Sequence, residues 1–138
     1  MAKQLSDCPT LEELNGFFGR DRFAEHAGCR IVEGSRDHAV CELDIQDHHR
    51  NALGNVMGGA IFTLADFALA VASNTGGNPS VSVTSTIEYL SASKGVRLIA
   101  TCNADKSGRR LGFYTTDVTD DTGRRIARVA ATVFRESE

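Results

Sequence analysis

One stretch of this chain constrains its fold more than any other. Residues 58–74, GGAIFTLADFALAVASN, carry a single charge, Asp66. Their composition predicts a helix about 25 Å long, and its apolar residues run almost all the way round it. Such a helix has to be enclosed rather than laid on a surface. Gly76-Gly77-Asn78-Pro79 follows and stops it. The enclosing material is supplied downstream, where 81–90, 97–104, 111–119 and 126–134 are rich in Val, Ile, Thr, Phe and Tyr. Ser93-Lys94-Gly95, Lys106-Ser107-Gly108 and Asp120-Asp121-Thr122-Gly123 punctuate them, which predicts consecutive antiparallel hairpins. Upstream, 29–33 and 39–45 read as a strand pair across Gly34-Ser35-Arg36-Asp37. Thr10 and Glu13 form a capping-box pattern ahead of one or two short helices ending near Ala27. The expected fold is α+β: an antiparallel sheet of about six strands wrapped around one long buried helix, with an N-terminal helical segment. No linker or repeat divides the chain, so 1–138 reads as a single domain.

Composition narrows the function. The chain has 138 residues, 41% of them hydrophobic and 24% charged, with a net charge of −3. That balance disfavours a nucleic-acid groove or an anionic membrane surface, and no stretch is long enough to span a bilayer. Cys8, Cys29, Cys41 and Cys102 show no metal-binding or redox spacing. The first residues, MAKQLSDCPTLEELNG, contain no apolar signal core. Reduced, structural cysteines in a cytoplasmic protein are therefore expected. The histidines offer one close pair, His48-His49, whose side chains as sequence neighbours should point apart; a zinc site is not expected.

Two features of the central helix bear on chemistry. Asp66 shares a narrow seam of small or polar side chains with Thr63, Ala70 and Ser73. A carboxylate there needs a partner or a task, because desolvation is costly. The residue types alone leave two readings open: a hydrogen-bonded Asp at a subunit contact, or a catalytic group. At the other feature, Gly58-Gly59 begins the helix with backbone N–H groups open to a ligand, a site suited to negative charge developing on oxygen. Gly58 and Asp66 are about 12 Å apart along the helix. They can act together only if the substrate spans that gap or a second subunit supplies one of them.

The run from Asn51 through Met57-Gly58-Gly59 to Asp66 resembles the signature of hot-dog-fold thioesterases of the phenylacetic-acid-pathway type, within the hydroxybenzoyl-CoA thioesterase superfamily. That family carries an Asn, a Gly, a His-Gly-Gly and a helical Asp at this spacing. The likeness extends through 81–90 and the hairpin Lys106-Ser107-Gly108-Arg109-Arg110, and covers roughly residue 31 to the C-terminus. It implies hydrolysis of acyl-coenzyme A esters at a site formed between two subunits, in a homodimer that assembles into a homotetramer, with no cofactor and coenzyme A as part of the substrate. Gly58 N–H would polarise the thioester carbonyl, with Gly59 beside it. Asp66 of the other subunit would act as general base or as nucleophile. Asn51 would hold water or thioester, and Ser82, or Thr84 on the same strand face, would orient the water or the Asp.

This chain departs from the family at Met57, where the usual residue is His; methionine cannot donate a hydrogen bond and would instead line an acyl pocket. Lys106, Arg109 and Arg110, with Arg50, are the candidate cations for the coenzyme A phosphates, unless that turn is simply a solvated basic one. Phe62, Phe67, Leu69, Tyr89 and Leu90 are candidate pocket walls or, equally, core residues. Two rival functions are a non-catalytic acyl-CoA binding module and an acyl-thioester hydratase or dehydratase; the second generally uses a His, which this helix lacks.

Overall fold

The computed structural model describes residues 4–136. Two short helices open it, α1 (Leu11–Phe18) and α2 (Arg22–Ala27). The capping box forms as its spacing predicts: Glu13 N–H donates to Thr10 Oγ1 at 3.1 Å, and Thr10 N–H to the Glu13 carboxylate at 3.0 Å. A hairpin follows, β1 (Arg30–Ser35) and β2 (His38–Asp44), and a 3-10 turn (Asp47–His49) starts the loop into the long helix α3 (Gly58–Asn74). The remainder is β3 (Ser80–Tyr89), β4 (Arg97–Ser107), β5 (Leu111–Asp120) and β6 (Arg125–Arg135). All pairings are antiparallel, and the six strands lie in the order β1-β2-β4-β5-β6-β3.

That order corrects one expectation. β4, β5 and β6 do form consecutive hairpins, but β3 does not pair with β4. It crosses to the far edge and pairs with β6. The residues between Tyr89 and Arg97 make the crossing instead of a hairpin turn, held by Leu90 N–H on the Ile126 carbonyl at 2.8 Å. Both β1 and β3 are thus free edges in one chain.

α3 packs on the concave face of the sheet, mainly over β2, β4 and β5. Ala65, Ala68 and Ala72 on the helix meet Ala39, Cys41, Ala100 and Cys102 on the strands, all essentially solvent-free. Small side chains on both surfaces let helix and sheet approach closely, while Leu43, Leu64, Val71, Leu98, Ile126 and Val133 fill the periphery. Burial on this scale, at about 25 cal/mol per Å² of apolar area, is the main force holding the helix in place. α1 and α2 cover one flank of α3, with Phe18 edge-on to Phe67 at 6.5 Å.

α3 is the long buried helix that its composition predicts, with one strip left open in a single chain. Gly59 and Asp66 are exposed and Thr63 and Ala70 half-buried, so the predicted seam is open along most of its length. Only Ser73, at its far end, is covered. All four cysteines are free thiols, with Cys41 and Cys102 in the core. Among the described residues no helix is long and apolar enough to cross a membrane.

Candidate active site

The loop 50–57 is built around Asn51. Its Oδ1 accepts from Leu53 N–H at 3.0 Å and Asn55 N–H at 3.1 Å, and its own N–H donates to the Asn55 carbonyl at 2.8 Å. An Asn suits this position because its short amide can mimic the next turn of backbone. The side-chain NH2 group makes no bond within the described residues and stays available to a ligand. Arg50 braces the same loop by donating to the Gly54 carbonyl at 3.0 Å; its guanidinium is thereby committed to structure.

The end of the loop is anchored by His49. Gln46 N–H donates to its Nδ1 at 2.9 Å, so Nε2 carries the proton and donates to the Ala27 carbonyl at 2.6 Å. The His49 carbonyl in turn accepts Met57 N–H at 2.8 Å. His48 and His49 do not point apart as expected: inside the tight 3-10 turn their rings lie 4.1 Å apart. Among the described residues no cluster of ligating side chains could hold a metal ion.

Met57 is the N-cap of α3, with no side-chain cap bond. Its carbonyl accepts from Ala60 and Ile61, while its side chain is 58% exposed. Gly58 N–H and Gly59 N–H therefore have no partner among the described residues. Two open donors at the positive end of a helix dipole form an anion-binding corner. Tyr89 seals it from behind: its hydroxyl donates to the Gly58 carbonyl at 3.1 Å. The ring lies so close that a Cβ on Gly58 would sit 2.9 Å from Tyr89 Cζ and Oη. A side chain at 58 would have to displace the Tyr89 ring. Gly58, Val56, Ile61, Tyr89 and Leu90 line an open groove of about 410 Å³. Of the five expected pocket walls, Tyr89 and Leu90 reach this groove, whereas Phe67 and Leu69 belong to the core.

Asp66 occupies the open seam two turns further along α3. Desolvation by its crowded flanks raises its carboxyl above the ordinary carboxylate value, and the nearby charge of Asp21, the N-cap of α2, adds to the rise. The group is exposed along the seam, and its raised carboxyl suits a base.

β3 runs antiparallel to α3 and is tied to it at both ends. Ser80 N–H donates to Asn74 Oδ1 at 2.8 Å at one end, and Tyr89 meets Gly58 at the other. Asp66, midway along the helix, therefore stands level with the middle of the strand. There the register shifts at Val83, a β-bulge: Ser82 pairs with Val133 but Thr84 pairs with Thr132. Val133 is buried on the helix side and Thr132 lies on the other face, so Ser82 and Thr84 do not share a face. This corrects the expectation that either could serve the same role. The bulge brings Ser85, opposite buried Ala131, to the helix side instead. Ser85 is a candidate that uninterrupted alternation conceals.

Lys106, Arg109 and Arg110 are exposed on the β4–β5 hairpin. This hairpin lies at the opposite end of α3 from Gly58, since Arg135 joins Ser107 to the carbonyl of Ser73. In one chain, then, the open N–H groups, Asp66 and the basic turn are strung out along the whole length of the helix. Arg124, Arg125 and Arg128 are exposed.

Comparison with known proteins agrees with this architecture. A family model described as the thioesterase superfamily matches residues 53–137. Acyl-coenzyme A thioesterase 13 of Mus musculus is 33% identical over 114 residues, spanning 80% of this chain and 80% of the relative. A solved variant of the phenylacetic acid degradation protein PaaI from Thermus thermophilus is 30% identical, with a TM-score of 0.78 over 83% of this chain and 98% of that one. A hypothetical thioesterase from Streptococcus pneumoniae, solved with coenzyme A, is 26% identical, with a TM-score of 0.79 over 90% of this chain and 98% of its own. The sheet curled about α3 is the hot-dog fold implied by the resemblance.

Proposed function

This chain belongs to the thioesterase superfamily and is a thioesterase, and we propose that it hydrolyses acyl-coenzyme A esters to free acid and coenzyme A at a site completed by a second copy of itself. The carrying observation is the separation of the two halves of the machinery. The oxyanion donors at Gly58 and Gly59 stand about 12 Å along α3 from Asp66, and the seam holding Asp66 is uncovered. A partner helix laid against that seam brings Asp66 of one subunit to Gly58 of the other. The free edge of β3, with Val81 at 52% and Val83 at 61% exposure, supports the same arrangement. Val81, Leu111, Phe113 and Phe134 adjoin on the outer sheet face; this apolar patch supports assembly of dimers into a homotetramer.

In this reading Asp66 is the general base, and its raised carboxyl makes it a stronger base than an ordinary aspartate. Asp66 takes a proton from water as the oxygen attacks the thioester carbonyl. The electrons of the C=O bond move onto oxygen, which Gly58 N–H and Gly59 N–H stabilise. The tetrahedral intermediate then collapses, the C–S bond breaks, and the coenzyme A sulfur leaves with the proton that Asp66 gives back. Asn51 NH2 and Ser82 hold the attacking water and the Asp. Met57 and the groove beside Tyr89 receive the acyl group, and Lys106, Arg109 and Arg110 of the hairpin meet the phosphates. No step draws on a metal or a redox group. The free thiols are in keeping with a reducing, cytoplasmic setting.

The test is thiol release from a panel of acyl-CoAs by wild type, Asp66→Ala and Gly58→Ala, followed by activity after mixing and reassembling the two variants. Wild type should be active and each variant nearly silent. The mixture should regain activity, because some dimers then carry one intact site. Binding of acyl-CoA without thiol release by wild type would favour a binding module, which the missing histidine at 57 keeps in view. No recovery on mixing would overturn the shared site.

A further inference from the structure

Arg135, the last residue of β6, is 8% exposed, unusual for an arginine at a strand end. All three nitrogens of its guanidinium donate hydrogen bonds. Nη1 donates to the Ser73 carbonyl at 3.1 Å, close to the end of α3. Nη2 donates to Ser107 Oγ and to the Tyr114 hydroxyl, each at 2.7 Å, and Nε to the Gly108 carbonyl at 3.1 Å. Nη2 also lies 3.5 Å from Asp37 Oδ1, to which the Tyr114 hydroxyl donates. The Arg135 N–H adds a bond to the Arg110 carbonyl at 2.7 Å. One residue thus grips the β4–β5 turn at 107, 108 and 110.

Two further features make this grip possible. A Cβ on Gly112 would lie 3.1 Å from Nη2 and 2.8 Å from the Tyr114 ring, so the guanidinium fits because position 112 has no side chain. A bulge at Asp105 shifts the register so that Lys106 pairs with Phe113 and Ser107 with Gly112. Without it, the alternation would send Lys106 inward and Ser107 out. With it, Ser107 meets the guanidinium while Lys106 faces solvent beside Arg109 and Arg110. The cations are exposed, yet the backbone beneath them is fixed. Ordering a flexible cationic turn at the moment of binding would lower affinity, and holding it in advance avoids that loss.

We propose that Arg135 is a positioning residue for coenzyme A: it fixes the 107–110 turn so that Lys106, Arg109 and Arg110 present a preset cationic face to the nucleotide phosphates. This rests on the reading that the hairpin meets coenzyme A. Arg135 itself touches no substrate.

The experiment compares two substrates carrying the same acyl group, one on coenzyme A and one on N-acetylcysteamine, which has no phosphates. The proteins are wild type, Arg135→Lys, Ser107→Ala and the triple variant Lys106→Ala/Arg109→Ala/Arg110→Ala. Arg135→Lys should raise KM for the coenzyme A ester about fivefold or more, the scale of freeing one or two ordered side chains. Its kcat, and both constants for the N-acetylcysteamine ester, should stay within about twofold of wild type. Ser107→Ala, which removes one grip without disturbing the core, should shift KM the same way by less. It carries the comparison if Arg135→Lys loses its cooperative melt. Equal changes for both substrates, or a fall in kcat alone, would show a general structural role and overturn the proposal. An unchanged KM for the triple variant would mean that the hairpin does not meet coenzyme A, and both readings fall. A raised KM for the triple variant with none for Arg135→Lys and Ser107→Ala would overturn the positioning role alone.

Discussion

Replacing Asp120 with asparagine should destabilise the protein by about 3 kcal/mol. Asp120 ends β5 and is 1% exposed. Its Oδ2 accepts from Ser93 Oγ at 3.1 Å, Lys94 N–H at 2.8 Å and Gly95 N–H at 3.1 Å. Its Oδ1 accepts from Thr122 Oγ1 at 2.6 Å, Thr122 N–H at 3.0 Å and Arg124 N–H at 3.1 Å. Charge-assisted bonds contribute about 1.5–3 kcal/mol each, but a straight sum would rival the stability of a whole domain, about 5–15 kcal/mol. The relevant quantity is the penalty for breaking one buried, fully paired charge, about 3–5 kcal/mol. The turns that it ties together, at 121–124 and Lys94, are themselves exposed and can readjust, so the lower value applies. Asparagine matches the shape but turns an NH2 toward three donors, so it should do no better than alanine. For a chain of this size about 3 kcal/mol lowers Tm by about 10 °C. The pH dependence supplies the sharper check. Burial alone would push the carboxyl up, but the converging donors outweigh it and hold it well below the ordinary carboxylate range. The wild-type advantage is therefore complete above the unfolded value of about 3.9, and declines as pH falls from there toward the folded value. Urea melts of wild type and Asp120→Asn between about pH 7 and pH 2.5 measure it. A gap under about 1 kcal/mol at pH 7, or one that stays constant into acid, would refute the reasoning.

Three other outcomes follow from the site. Asp66→Asn should abolish thiol release yet raise Tm at neutral pH: the folded carboxyl is raised, so the fold disfavours its charge, and removing that charge removes the penalty above the carboxylate range. In wild type, kcat/KM should fall as pH drops through the raised Asp66 value, and a flat acid limb would exclude Asp66 as the base. Gly58→Ala should reduce kcat at least tenfold, about 1.4 kcal/mol in barrier, because its methyl must displace Tyr89; adding Tyr89→Ala should recover stability, read by thermal melts, more than activity. Met57→His should increase turnover if the N-cap imidazole reaches the carbonyl; a lower rate would mean that the groove has been shaped around methionine.

Much of the fold was legible because its signals are local. The capping box at Thr10 and Glu13, the stop after Asn74 and the Gly-bearing turns of β4, β5 and β6 each act within a few residues. The position of β3 was not legible in this way, since its partner β6 lies far along the chain, and nothing in Val-Ser-Val-Thr-Ser-Thr-Ile distinguishes an edge strand from a neighbour of β4. The same segment alternates without a break, so the bulge at Val83 that separates Ser82 from Thr84 could only come from pairing. Asp66 and Gly58 were found by their oddity, a charge in apolar helix and a Gly pair at its start. Arg135 and Asp120 were passed over because a charged residue at a strand end looks like any solvated one; only the donors and acceptors gathered around them reveal the difference. The open seam was hidden for a related reason. Small, weakly polar side chains look alike whether a sheet, solvent or another copy lies against them.

The distance between Gly58 and Asp66 along one helix also has a consequence for quantity. Under the proposed arrangement a lone chain holds two half-sites and no whole one. Catalytic output then follows the population of paired chains rather than the amount of protein, rising with the square of concentration when copies are scarce and linearly once they are abundant. Specific activity measured across a dilution series would become a titration of self-association, and a cell could silence such an enzyme simply by keeping it rare.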